Sequence, residues 1–420
     1  MGGAAGHLSH IQENLGFTLG DIKNVLQDVA QGNIEAVEKV DGQNIFFTYD
    51  LESDSVKTAR NAGDIKRGGM TPEQLMAKFT GHPAEGAFIN GFKAINSAVK
   101  QLSEKELADI FGPDGSTYVN AEIMYPANRN VINYNGNYIV MHGAKYFGDD
   151  PNVSSTTVKD SFAKLLTYIE ASEKKQEKKD WKVIGPQIAK LKNIFNGTAY
   201  SNFVADLSAA TAGAPDSMTL KDYVRQRLFS GPVDKLPLSD QQKEQLVKLI
   251  LQDDDAPSLR DLKKSVPKNV QKLISQLATK VNRSKVISAM LLPIEKAISD
   301  FAIEVLRGMN SFFVGDHEKE LQRMRSEVEQ SISAIQTAKG QGMDALQDTL
   351  EKQLKKLGPL ENIASTMEGI VFEYPPGSEQ LYKLTGSFAM INQIVGGARR
   401  MPKQNNENIL YSYIKELVNS

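Results

Sequence analysis

The chain has 420 residues, 40% hydrophobic and 24% charged, an ordinary globular balance that excludes a wholly disordered chain, a collagen and a membrane channel. Its length suggests two or three domains. Formal net charge is −2 and cysteine is absent, so there is no strong overall basic field, no disulfide framework, no thiolate nucleophile and no zinc–cysteine site.

In chain order, the amino-terminal Met-Gly-Gly-Ala-Ala-Gly-His lacks the cationic and apolar regions of a signal peptide. Residues 36–40 and 45–51 read as strands around Asp41-Gly42. Residues 83–102 have helical periodicity, with Phe88, Phe92, Ile95 and Val99 on one face. Residues 118–125, 131–134 and 138–142 read as short strands, and Asn135-Gly136 is a hairpin signal between the last two. From about 155 to 360 nearly every stretch reads as helix, divided by turn clusters at 213–216, 230–237 and 253–258. The most apolar stretch, 287–306, contains Pro293, Glu295, Lys296, Asp300 and Glu304, so it reads as amphipathic and no membrane partner is expected. The run 173–182 reads as a solvated helix, and 318–357 as a long charged helix or helix pair broken at 340–342. Strand character returns at 369–374 and 380–384, followed by two helical pieces. The expected fold class is α+β, with an all-α insertion, in three segments: 1–154, 155–362 and 363–420.

Charge divides along the same boundary. Residues 151–365 carry a net +5 and the remainder a net −7. Such an insert is either a set of solvated helix surfaces or a surface that meets nucleic-acid phosphates. The five histidines (7, 10, 82, 142 and 317) have no metal-ligand spacing. Phe46, Phe47, Phe372 and Phe388 read as core, and His142 as a strand histidine with its hydrogen bonds met.

The sharpest local feature is Glu38-Lys39-Val40-Asp41-Gly42-Gln43-Asn44. A strand end is a rigid platform for a lysine nucleophile, and a following glycine lets backbone approach a phosphate. The same residues also suit a surface hairpin with a type I′ Asp-Gly turn.

Lys39-x-Asp41-Gly42 resembles the nucleophile motif of the covalent nucleotidyltransferases, the superfamily of ATP-dependent DNA ligases, RNA ligases and mRNA capping enzymes. Asp41 follows the DNA-ligase pattern and Asn44 the RNA-ligase pattern. Further segments are similar to the superfamily's in order. Thr58-Ala-Arg60-Asn61-Ala-Gly63 resembles the segment supplying an arginine to the nucleotide, with Arg67 as second choice. Tyr118-Val-Asn-Ala-Glu122 resembles the motif whose acid recognises the ribose, and Tyr138-Ile-Val-Met141-His142-Gly143 the one whose aromatic stacks on the purine, with Met141 or His142 in the place of that aromatic. Met367-Glu368-Gly369-Ile370-Val371-Phe372 resembles the metal-proximal motif, and Leu381-Tyr382-Lys383-Leu384-Thr385-Gly386 the motif holding the α-phosphate. Glu373 stands where a lysine is common, and Lys383 is flanked by Leu381 and Thr385 rather than a second lysine. The whole pattern also resembles a family of tailed-phage proteins without assigned activity.

The resemblance implies a ligase-type core of antiparallel sheets with helices, interrupted by the helical insertion. It implies a lysyl–AMP intermediate on Lys39, with ATP and Mg²⁺ as cofactors. Asp41, Gly42, Asn44, Arg60, Glu122, Met141 and Lys383 would bind the nucleotide, and Glu368 the metal. The implied partner is a polynucleotide, RNA or DNA, with 5′-phosphate and 3′-hydroxyl ends. The setting would be the cytoplasm of a phage host, or a virion. The rival expectation is a catalytically degenerate phage protein with a structural or virion-associated role, meeting a phage partner through the insertion. Fewer than 40 residues follow Lys383. No terminal oligonucleotide-binding domain is therefore expected, and the insertion is left as the polynucleotide grip, separable from Lys39 loading.

Overall fold

The computed structural model describes residues 8–148, 156–173, 180–337 and 344–399. Its strands are β1 (Ser9–His10), β2 (Ala36–Lys39), β3 (Gln43–Asp50), β4 (Ser55–Ala59), β5 (Thr117–Met124), β6 (Asn137–Tyr146), β7 (Thr156–Thr157), β8 (Trp181–Ile184), β9 (Ile188–Ala189), β10 (Gly369–Glu373) and β11 (Leu381–Leu384). They form two sheets. One has the order β4-β3-β5-β6-β7, with β8 also paired to β6; the other has the order β1-β11-β10-β2-β9. Pairing is antiparallel except for β1 with β11 and β6 with β8. The fold is thus mixed α+β with largely antiparallel sheets, as the sequence suggests.

Period-two patterning sets the faces of both sheets. In the first, Ile45, Phe47, Val119, Ala121, Ile123, Ile139 and Met141 pack on the helices Glu85–Val99, Glu104–Phe111 and Lys159–Glu173. In the second, Ala36, Ile370, Phe372, Tyr382 and Leu384 pack on helices between residues 19 and 306. Of the expected helical face, Phe88, Ile95 and Val99 are buried and Phe92 partly so, while Phe46, Phe47, Phe372 and Phe388 are buried.

Four expectations need correction. First, β2 and β3 do not form a hairpin. They lie in different sheets, so residues 40–42 are a crossover. Second, residues 131–134 are not a strand. The Val131 and Ile132 N–H groups donate to Asp41 Oδ2 (2.7 and 3.1 Å), Asn133 N–H to Glu320 Oε1 (2.8 Å), and Asn135 N–H to the Phe313 carbonyl (2.9 Å). With those donors engaged there is no ladder to make and no Asn135-Gly136 hairpin. Third, the segment 155–362 is not all helical. β7 and β8 extend the first sheet and β9 the second, and Trp181, expected on a solvated helix, opens β8. Fourth, the insertion does not pack as a unit of its own. Residues of Thr198–Ala210, Leu220–Phe229 and Lys280–Leu306 share one continuous apolar cluster with Ala36, Ile370 and Phe372. The charged region forms two helices, His317–Thr337 and Asp344–Leu357; the expected break at 340–342 and the last closing helix lie outside the described residues. Among the described residues no helix is long and apolar enough to cross a membrane.

Candidate active site

The two sheets meet at the crossover after β2, and this junction collects the charged residues. Antiparallel register sets Lys39 opposite Gly369, so Glu368 lies just beyond the lysine. Lys39 Nζ is 2.5 Å from Glu368 Oε1, and the two side chains are only 19% and 14% exposed. Burial alone would depress the Lys39 pKa. The carboxylates of Glu368, Glu122 and Asp41 more than reverse this and hold it above its ordinary value, so the resting group is an ammonium. Burial pushes Glu368 up to about 7, against the opposing pull of the Lys39 charge. Of the two, the lysine charge is the firmer, because three carboxylates surround it.

Lys383 pairs across β11–β10 with Val371, which pairs with Val37 on β2. Directly opposed residues share a face, so Lys383, Val371, Val37 and Lys39 line one side of the second sheet. Burial lowers the Lys383 pKa, Glu13 opposes this, and the Lys39 charge adds to it.

Glu122 stands on β5 between Asn44 of β3 and Val140 of β6, on the face opposite the Met141 core. Burial would raise its carboxyl, but His142, Lys39 and Arg60 hold it below the ordinary value and ionised. A bulge between Asn120 and Ala121 skips His142 in the ladder and brings its Nε2 to 3.6 Å from Glu122 Oε2. Arg60 follows β4. Its guanidinium carbon lies 4.6 Å from the centroid of the Phe88 ring, and its Nη1 is buried without a hydrogen-bond partner. A buried cation with an unmet donor, within electrostatic range of Glu122, is suited to receive an anion.

The structure therefore brings together Lys39, Glu368, Lys383, Glu122 and Arg60, separated by up to 344 positions in the chain. It gives other work to the remaining candidates. The Asp41 carboxylate binds the loop: besides Val131 and Ile132 N–H, it accepts from Asn130 Nδ2 at 3.2 Å. Asn44 Nδ2 donates to Asn120 Oδ1 at 2.6 Å. Gly42 is required by a close approach: a Cβ there would sit 2.8 Å from the Ile123 carbonyl oxygen. Met141 is a correction. It is fully buried on the far side of the first sheet, so it cannot stack on a ligand at Lys39, and His142 is the residue that reaches this side. Arg67, the second choice, is exposed and paired with Asp64 at 2.6 Å.

Sequence reading missed three supports. Glu38 is buried and accepts from the Ser311 hydroxyl and from Phe312 N–H (2.9 Å), tying the strand beside Lys39 to the insertion. Its acid at an inward position of an alternating strand was the available signal. Tyr134 accepts the Asp41 N–H (2.6 Å), and Asn130 bridges Asp41 and the Gly42 carbonyl. Those contacts come from a distant loop and left no local mark.

Among the described residues no group of three or more His, Asp or Glu side chains is arranged to hold a metal ion. Glu368 is already paired with Lys39, and Asp41 with backbone, so the side chains present do not build a protein-only cage for Mg²⁺. No protein-family model matches this chain, and no curated protein matches it either.

Proposed function

We propose that this protein is an ATP-dependent, polynucleotide ligase-like nucleotidyltransferase, built on a ligase-type core and forming a lysyl–AMP intermediate at Lys39. The observation that carries this reading is the buried Lys39–Glu368 pair, joined from opposite ends of the chain and flanked by Lys383, Arg60 and Glu122. A strand-end lysine among cations and carboxylates suits covalent phosphoryl chemistry, in which positioning and charge neutralisation dominate.

The Lys39 ammonium must lose a proton before it can attack. Glu368, 2.5 Å away and held near 7 by burial, is the group placed to take it. The neutral nitrogen then bonds to the α-phosphorus of ATP, pyrophosphate leaves with the electron pair of the broken P–O bond, and the nitrogen releases a second proton to water. Lys383 and Arg60 supply positive charge to phosphate oxygens. Glu122, kept ionised, accepts a hydrogen bond from a ribose hydroxyl, with His142 as its neighbour. The adenylyl group then passes to a 5′-phosphate strand end, RNA or DNA, for displacement by a 3′-hydroxyl. Mg²⁺ ordinarily binds through one or two carboxylates plus substrate phosphates.

The second reading is a binding protein on an inactive core, in a phage particle or its host. The resting Lys39 charge and the lack of a second lysine beside Lys383 favour it. Incubation with ATP labelled at the α-phosphate separates the two. Acid-labile, alkali-stable label on Lys39 supports the transferase; no label across nucleotides and divalent metals leaves the binding protein.

A further inference from the structure

A cavity of about 530 Å³ lies behind the Asp41-Gly42 crossover, lined by Gln43, His82, Asn128, Arg129, Asn130 and Arg399 together with Pro83, Ala84, Ala127 and Glu327. Its size is that of a small-molecule site. Asn130 forms the wall shared with the crossover: its Nδ2 donates to Asp41 Oδ1 (3.2 Å) and the Gly42 carbonyl (3.1 Å), and its Oδ1 accepts from Gln43 Nε2 (2.7 Å).

The charge in this wall is positive and incompletely used. Arg129 is exposed and has no hydrogen bond or ion pair among the described residues. Arg399 donates to the Asn130 carbonyl (2.7 Å) and to Glu327 (2.8 Å). Glu327, the one carboxylate of the lining, is also bound by Arg323 at 2.5 Å and is held ionised by both arginines against burial, so its charge is already spent. The helix Glu85–Val99 begins at Ala84 in the same wall, with no side-chain cap on its first N–H groups. Its first-turn acid, Glu85, turns back to accept from Gly81 N–H at 2.7 Å. His82 Nδ1 accepts from Ala84 N–H (3.0 Å), which leaves Nε2 as the ring donor. The Glu85 N–H already donates to the His82 carbonyl (2.9 Å), so the positive character of the wall comes from a free guanidinium, a second one part-engaged and a ring N–H, which favour an anion. The volume exceeds that of a bare anion, and with the Asn130 amide, Gln43 Nε2 and Asn128 Nδ2 already engaged, the amide oxygens of Gln43 and Asn128 remain to accept from a sugar or base.

We propose that this cavity is a phosphate site that takes a nucleotide unit, held through Arg129, either as a free mononucleotide or as the 5′-phosphorylated end of a strand. The inference goes beyond the Lys39 chemistry and does not depend on it. The test uses the full chain and Arg129→Ala, with Arg129→Glu as the stronger variant. AMP and inorganic phosphate are titrated by calorimetry. Short fluorescent oligonucleotides with a 5′-phosphate or a 5′-hydroxyl are titrated by polarisation. Arg129 has no partner to lose, so both variants should fold with an unchanged melting temperature. The expected result is phosphate-dependent binding that weakens about tenfold or more in Arg129→Ala and further in Arg129→Glu. AMP binding without discrimination between the two oligonucleotides assigns the site to a mononucleotide, whereas preference for the 5′-phosphate strand assigns it to a strand end. Absence of any phosphate-dependent binding, or binding indifferent to both variants, overturns the proposal. Lys39 labelling is read separately: label without phosphate-dependent binding removes the cavity site alone, and binding without label removes the transferase alone.

Discussion

Replacing Glu368 with glutamine tests how the Lys39 charge is held. The substitution keeps the size of the side chain but removes the carboxylate 2.5 Å from Nζ. That carboxylate is the largest influence raising the Lys39 pKa, while burial pulls the other way. Breaking a buried pair by removing one partner costs about 3–5 kcal/mol if the remaining charge stays. The same energy appears in the Lys39 proton equilibrium, because the lost carboxylate no longer favours the ammonium. At 1.36 kcal/mol per pKa unit, its pKa should drop by about 2–4. Glu122 and Asp41 remain and keep the drop toward the lower figure. The neutral-amine fraction at pH 8 should then rise about a hundredfold. The assay is competitive acylation by a small anhydride from pH 7 to 10, read by peptide mass spectrometry, with exposed Lys268 as internal reference. In the parent chain Lys39 should react far more slowly than Lys268; in Glu368→Gln it should approach or exceed it. Equal Lys39 reactivity in the two proteins, with melting showing both folded, would refute the pairing argument.

Lys39→Ala and Lys39→Arg should both abolish adenylyl labelling, since a guanidinium stays protonated. A surface lysine would be replaceable within about 0.5 kcal/mol, but Lys39→Ala removes the charge that opposes burial at Glu368, so the folded variant must keep Glu368 protonated to higher pH, and the destabilisation should be larger above pH 7 than at pH 5. Asp41→Ala should lower stability by about 2–4 kcal/mol in denaturant unfolding, because the N–H groups of Val131 and Ile132 lose their acceptor, and labelling should fall with it. Glu38 is raised by burial from 4.5 to about 7, against its bonds from Ser311 and Phe312. The folded state therefore holds its proton more tightly, and the stability this contributes is complete below 4.5 and lost as pH rises through 7. The destabilisation caused by Glu38→Ala should accordingly shrink by about 2–3 kcal/mol between pH 5 and pH 8; a constant difference across that range would contradict the burial argument.

The sequence by itself determined whatever is written as local periodicity. The strands around residues 36–40, 45–51, 118–125 and 369–374, the buried face of Phe88, Ile95 and Val99, and the burial of Phe46, Phe47, Phe372 and Phe388 follow from alternation or helical spacing, and the structure has them. Tertiary structure alone decided the pairings. Nothing local in 36–51 says that β2 and β3 join different sheets, because that depends on β10 and β9 being available to β2. The run 131–134 has strand composition, yet its N–H groups go to Asp41 and Glu320, which no window around it contains. Met141 and His142 are adjacent in one strand, and only a bulge set by the β5 register sends one to the core and brings the other to Glu122. The charge of Lys39 is likewise non-local: its neighbours in the chain say nothing of Glu368, whose carboxylate reaches it only through the strand pairing of β2 with β10. Period and composition report which way a side chain faces; what it then meets is set by contacts between segments hundreds of residues apart.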